Sequence, residues 1–239
     1  MDLEVFVRLG SKATACHETA AQLWGIELVG TPLHRVTVPL SRSRLAVPGW
    51  QVRRMDLPDD DVVVVDEVRR TVPLRTVLDL AMVLPHEEAV AAADSALRQG
   101  LVDSGDLVTA LSGRLGRGAR RPRAVAQALD PLAGSVLESL LRVLLRQAGL
   151  PAPQTQHVVS ERDGTFVARV DMAWPGSRLV VEADGFAFHS DRESYRSDRH
   201  RVNALERLGW RVLRFSWEDV RYAPEDVVRT VRSCLAAAA

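Results

Sequence analysis

Asp171, Glu182 and Asp184 stand close together in the segment 169–189, and their spacing decides what chemistry they could do. Two short apolar runs flank Pro175-Gly176-Ser177-Arg178, which reads as a β-hairpin with Gly-Ser as its two-residue loop. Pairing follows by counting: Pro175 faces Arg178, Trp174 faces Leu179, Ala173 faces Val180, Met172 faces Val181 and Asp171 faces Glu182. Side chains alternate along a strand. Val170, Met172, Trp174, Leu179, Val181 and Ala183 therefore share an apolar face, and Arg169, Asp171, Ala173, Val180, Glu182 and Asp184 share the other. A one-residue slip would exchange the faces, so the register is well specified. Like charges directly opposed destabilise a strand pair, so Asp171 and Glu182 require compensation. A divalent cation with oxygen ligands would supply it. The wet face of an amphipathic hairpin, with solvent holding the charges apart, is the other reading.

The surrounding residues extend the chemistry. His189 follows Gly185, Phe186 and Phe188, and an imidazole titrating near neutrality could take a proton from a water attacking phosphorus. A helix expected over residues 191–208 carries Arg192, Arg196, Arg199 and Arg201, the first three at helical spacing on one face. Guanidinium forks match phosphate oxygens; with Glu193 and Asp198 interleaved, a salt-bridged solvent face competes with that role. Upstream, Ser135 and Glu138 fit a capping box at the head of a leucine-rich helix. Glu138 could also sit near the hairpin carboxylates as an outer metal ligand or water-positioning group.

Taken together, Glu138, Asp171, Glu182-x-Asp184-Gly185, His189, Asp198-Arg199 and Gly209-Trp210-Arg211-Val212-Leu213-Arg214 resemble the PD-(D/E)XK nuclease superfamily. The resemblance is closer to its very-short-patch-repair-endonuclease-like branch, also called DUF559, and covers residues 132–236. It implies a Mg2+ (or Mn2+) site at Asp171, Glu182 and the Ala183 carbonyl. Asp184 would position a second ion or the attacking water, His189 would accept the proton and Glu138 would assist. In that branch an aromatic near Phe188 wedges between bases. Asp184 stands where the superfamily most often has lysine; Lys12 is the only lysine in the chain, so the carboxyl-terminal half cannot supply one.

The elements that must position these residues can be read from pattern. Residues 131–134 mark a junction. Residues 135–147 form a helix with leucines almost all round it, hence largely buried, ended by Gly149 with Pro151 and Pro153 beyond. Strands over 156–159 and 165–170 join 179–183 in an antiparallel meander. A strand over 210–215 follows the arginine-rich helix, and a helix over 225–235 closes the unit.

Residues 1–130 read as a separate α/β unit: a helical segment at 13–24, strands at 35–38, 51–55 and 62–65, then helices from Pro73 and over 87–97, 104–111 and 122–129. Thr71-Val72-Pro73-Leu74-Arg75-Thr76-Val77-Leu78-Asp79-Leu80-Ala81 resembles the region that follows a winged helix in AbiEi-type antitoxin-like proteins. The residues before it hold no convincing winged helix, which argues against sequence-specific promoter binding. His17 and Asp79 each stand alone, and a lone histidine beside alanines is expected at the surface or satisfied. Five arginines and two glycines over 114–123 could touch phosphates or serve as a solvated connector.

Acidic and basic residues balance, 31 against 31, so nucleic-acid binding must come from local patches. Cys16 and Cys234 give neither a disulfide framework nor zinc spacing. No run is long or apolar enough to cross a membrane, and Met1-Asp2-Leu3-Glu4 lacks a secretory start. A cytoplasmic location and no membrane partner are expected. The expected fold class is α/β: a small AbiEi-like α/β domain over 1–130 and a restriction-endonuclease-like domain over 131–239, a mixed sheet flanked by helices. The expected function is metal-dependent DNA endonuclease. The alternative is a non-catalytic antitoxin-like regulator that binds DNA or a protein partner through residues 1–130.

Overall fold

The computed structural model describes residues 3–42, 46–185 and 192–237. The chain divides into two units, Met1–Pro131 and Leu132–Ala239.

In the first unit, α1 (Leu3–Leu9) precedes β1 (Thr14–Ala15), α2 (His17–Trp24), β2 (His34–Val38), β3 (Trp50–Arg54), β4 (Val62–Val65) and β5 (Val68–Thr71). The helices α3 (Pro73–Val83), α4 (His86–Arg98), α5 (Ser104–Ser112) and α6 (Arg120–Ala126) follow. The strands form one mixed sheet in the order β3-β2-β1-β5-β4. The helical segment read at 13–24 is shortened because Ala15 pairs with Val36 on one side and Arg70 on the other. Central pairing in the sheet outweighs alanine's helix propensity. Pro73 opens α3 at its first position, where its missing N–H costs nothing.

In the second unit, α7 (Val136–Gln147) leads into β6 (Gln154–Ser160), β7 (Phe166–Trp174) and β8 (Leu179–Asp184). After α8 (Arg192–Arg207) come β9 (Arg211–Ser216), α9 (Trp217–Tyr222) and α10 (Pro224–Ala236). The sheet order is β6-β7-β8-β9, with β9 parallel to β8 and the other pairs antiparallel. A parallel partner requires a crossover, and α8 provides it.

The β7–β8 pairing matches the count for Trp174–Leu179, Ala173–Val180 and Met172–Val181. The turn differs from the expected two-residue loop. Pro175–Ser177 form a 3-10 turn, Arg178 is left-handed at φ 46°, and its N–H donates to the Pro175 carbonyl at 3.2 Å. Lengthening the loop by one residue at each end keeps the register, because the loop stays even.

The second face of the hairpin is not the solvent-covered surface that alternation allowed. Met172, Trp174, Leu179 and Val181 pack with Leu141 and Leu145 of α7 and Val227 and Val231 of α10. Ala173 and Val180 are equally buried on the opposite side, under Leu205 of α8, together with Val159, Ala168 and Val170. Val170, assigned by alternation to the first face, joins this second cluster. Between the pairs Thr155–Met172 and His157–Val170 lies Gln156, whose φ of 49° interrupts the regular pleat. Around Met172–Trp174 and Leu179–Val181 the sheet has apolar layers on both sides.

Leu205→Ala should therefore lower the stability of the second unit by about 2–5 kcal/mol, since Leu205 is 0% exposed. Val158→Ala, at a position 51% exposed, should change it by less than about 0.5 kcal/mol. Urea unfolding of the full chain checks both.

Candidate functional site

The β7–β8 ladder stops at Met172–Val181, whereas β8 stays paired with β9 through Asp184 opposite Ser216. The strands part at Asp171, and its side chain takes up the backbone group left over: Asp171 Oδ2 accepts the Ala183 N–H at 2.9 Å. Asp171 Oδ1 lies 3.5 Å from Gln156 Nε2, which donates to Glu138 Oε2 at 2.8 Å. Two carboxylates thus share one neutral amide. The left-handed backbone of Gln156 is part of this arrangement, and no residue-type pattern in the sequence signals it.

Glu138 sits where α7 begins. Ser135 Oγ accepts the Glu138 N–H at 3.1 Å, as a capping box requires. The return bond differs from the expected box: Glu138 Oε2 accepts the N–H of Gly134, one residue earlier, at 2.8 Å. A Cβ at Gly134 would lie 2.8 Å from Glu138 Oε1 and 3.4 Å from Gln156 Nε2. Glycine is needed for this close approach, and Glu138 serves both as a helix cap and as a neighbour of Asp171.

Glu182 is only 6% exposed. Arg201 grips it with both terminal nitrogens, Nη1 to Oε1 at 2.6 Å and Nη2 to Oε2 at 3.0 Å. Arg214, its register partner on β9, adds Nε to Oε2 at 3.1 Å. Arg201 lies one turn before Leu205 on α8, so the packing that buries Leu205 also sets Arg201 over the strand. Arg201, one of the arginines expected to contact phosphate, is here engaged by Glu182, and both Glu182 oxygens are held by guanidinium groups.

Burial and the negative charge of Glu138 push the Asp171 carboxyl up to about 6, with Glu182 adding to the rise and the Ala183 N–H and Arg201 opposing it. Among the described residues, no group of three or more His, Cys, Asp or Glu side chains is arranged to hold a metal ion. The donor set nonetheless suits a hard cation in part. Asp171 and Glu138 are neighbouring oxygen donors joined by the neutral amide of Gln156, and the Ala183 carbonyl, which accepts the Gly185 N–H at 3.0 Å, lies on the adjoining strand. Asp184 is exposed at the end of β8. Arg192 and Arg196 lie within α8, and Arg199 is exposed on it. Phe188 and His189 lie outside the described residues.

The first unit holds polar residues that the sequence presents as isolated. His17 is buried rather than exposed or satisfied, with φ 51° and an Nδ1 that lacks a hydrogen-bond partner. Burial, reinforced by Arg35, Arg53 and Arg75, drives its pKa down to about 3. Asp79 accepts from Arg75 Nε at 2.9 Å, and Arg75 also reaches Asp61 at 2.5 Å. In the arginine-rich segment, Arg121 donates to the Met82 carbonyl and Arg123 to the carbonyls of Ser112 and Arg114.

Fold and matching profiles define a two-part protein. Residues 145–235 match the nuclease-like family REase_MTES_1575, and residues 13–130 match the AbiEi antitoxin C-terminal domain. The chain belongs to the family that includes "Uncharacterized protein MT2308" of Mycobacterium tuberculosis (strain CDC 1551 / Oshkosh), to which it is 30% identical over 212 residues, 88% of this chain and 76% of the relative. "Uncharacterized protein Rv2248" of Mycobacterium tuberculosis (strain ATCC 25618 / H37Rv) is similar to the same extent. No solved structure matches the chain. Among the described residues, no helix is long and apolar enough to cross a membrane.

The Asp171 environment yields a stability prediction with a definite sign. Its native carboxyl titrates near 6 against an ordinary value of 3.8, so the unfolded chain releases this proton first as pH rises. The penalty on the native state is absent below the ordinary value and complete above about 6. Asp171→Asn, which keeps an acceptor for Ala183, should stabilise the protein at pH 7.5 by about 1–3 kcal/mol. Thermal unfolding across pH should show that advantage shrink as pH falls below about 6 and vanish below the ordinary value of 3.8.

Proposed function

We propose that the second unit is a metal-dependent endonuclease that hydrolyses phosphodiester bonds in DNA, with Mg2+ (or Mn2+) as cofactor. The observation that carries this reading is the pairing of Asp171 with Glu138 through Gln156 where β7 and β8 part, within a restriction-endonuclease-like domain and with Glu182 close enough to raise the Asp171 pKa. Asp171, Glu182 and the Ala183 carbonyl would hold the ion. When bound, such an ion lowers the pKa of a water molecule and screens charge growing on the scissile phosphate.

The chain's own residues have separate tasks in this proposal. The Ala183 N–H fixes one oxygen of Asp171 and leaves the other beside Gln156. Glu138, tethered by Gly134 and Gln156, orients water. Asp184 stands at the exposed end of β8 to position the attacking water or a second ion. His189 is the proposed proton acceptor, Phe188 a proposed base contact, and Arg192, Arg196 and Arg199 the proposed phosphate contacts.

A second reading draws on the arginine-held Glu182 and the AbiEi antitoxin C-terminal domain: a non-catalytic regulator that binds DNA or a protein partner and retains the nuclease fold. Incubating supercoiled plasmid and mismatched duplex with the purified chain and Mg2+ or Mn2+ separates the two. The nuclease reading expects cutting that depends on the ion and falls to background in Asp171→Ala. Equal cutting by both proteins, or none by either, favours the regulator.

A further inference from the structure

Glu182 presents an exchange problem. Its carboxylate is almost wholly buried, and both oxygens are held by guanidinium groups. An ionised carboxylate at that depth cannot be left bare, because an uncompensated buried charge costs several kcal/mol. If Glu182 is to ligate an ion, as the proposed function requires, one of its two guanidinium partners has to give way to that ion. Of the two arginines, Arg201 holds both oxygens, whereas Arg214 holds one. They also differ in what carries them. Arg214 is fixed in the β8–β9 ladder opposite Glu182. Arg201 belongs to α8, the same helix as Arg199, which lies two residues earlier and is exposed. The two side chains are almost equally exposed, 32% for Arg201 and 33% for Arg214, so it is the element carrying each that separates them. A guanidinium that leaves a carboxylate favours another oxyanion with matching geometry, and phosphate is one.

We propose that Arg201 is a latch exchanged between Glu182 and the DNA backbone. Without DNA, its guanidinium takes the place of the ion on Glu182. When duplex DNA lies along α8, a backbone phosphate takes Arg201, and the vacated Glu182 Oε1 turns to the divalent cation while Arg214 keeps Oε2. Arg201 is then a positioning residue, and DNA and metal bind cooperatively. Linkage is reciprocal: whatever factor DNA adds to metal affinity, metal adds to DNA affinity. The inference rests on the metal-site reading above and adds its regulation: the cation site is completed by the substrate.

The test is Mn2+ binding to the full chain by isothermal titration, with and without saturating duplex DNA that gels show to be intact. Wild type should bind Mn2+ weakly alone and about 10-fold or more tightly with DNA. Arg201→Gln should bind Mn2+ tightly without DNA, with most of the coupling gone. Arg201→Lys, which keeps a charge but loses the fork, should fall between and covers the case where the glutamine variant fails to fold. Arg214→Gln leaves Arg201 in place and should keep the wild-type coupling. Equal Mn2+ affinity in Arg201→Gln, Arg201→Lys and wild type, or the same DNA coupling in all three, overturns the latch but leaves the metal site standing, provided Asp171→Ala abolishes binding. Absence of Mn2+ binding in every form, with and without DNA, overturns the metal-site reading and the latch with it.

Discussion

The contact between Asp171 Oδ2 and the Ala183 N–H is the constraint on which the second unit's open end depends. Buried backbone donors must find partners, and β8 loses its β7 neighbour just past Val181. Asp171 supplies that partner from its side chain, so β7 can turn away while β8 continues along β9. The wedge so formed is bounded by Asp171, Gln156 and Glu138 on one side and by Glu182 with its two arginines on the other. An apolar residue at 171 would leave the Ala183 N–H without this acceptor. One carboxylate thus shapes the strand ends and provides the oxygen donor that the proposed chemistry needs.

Much of this geometry was legible because β-pairing obeys arithmetic. Any even loop between Trp174 and Leu179 gives the same pairs, so a wrong turn type did no damage to the register. The helix over 135–147 and the crossover helix after β8 were equally visible, since long periodic segments with capping residues are governed by local preferences. What alternation could not reveal was which faces would be covered. Ala173 and Val180 are small and apolar, and whether they meet water or Leu205 depends on a helix that joins the fold some twenty-five residues later. Gln156 was hidden for a different reason. A left-handed glutamine inside a strand follows no residue preference, and only its neighbours Glu138 and Asp171 give it a purpose.

The first unit was harder to read, for physical reasons of its own. β1 is two residues long and exists only because β2 and β5 flank it. Nothing local marks such a strand. His17 illustrates the same limit: its alanine-rich surroundings resemble an ordinary helix start, but tertiary packing buries it, and burial with the charges of Arg35, Arg53 and Arg75 lowers its pKa. The Arg75–Asp79 pair, by contrast, has the i, i+4 spacing that helices favour.

The near absence of lysine gives the charge cluster at Glu182 its particular character. Arginine binds a carboxylate through a planar fork and carries its charge at any ordinary pH, whereas lysine offers a compact ammonium that can shed a proton when buried. Arg201 therefore neutralises Glu182 geometrically and electrostatically, and deprotonation gives no route to release. As a stabilising device the arrangement is poor. Bringing such charges out of water costs much of what their attraction returns, and apolar packing of similar volume commonly serves as well. Its interest lies in the exchange proposed above: a buried carboxylate held by two guanidinium groups, one of them carried on α8 rather than on the sheet.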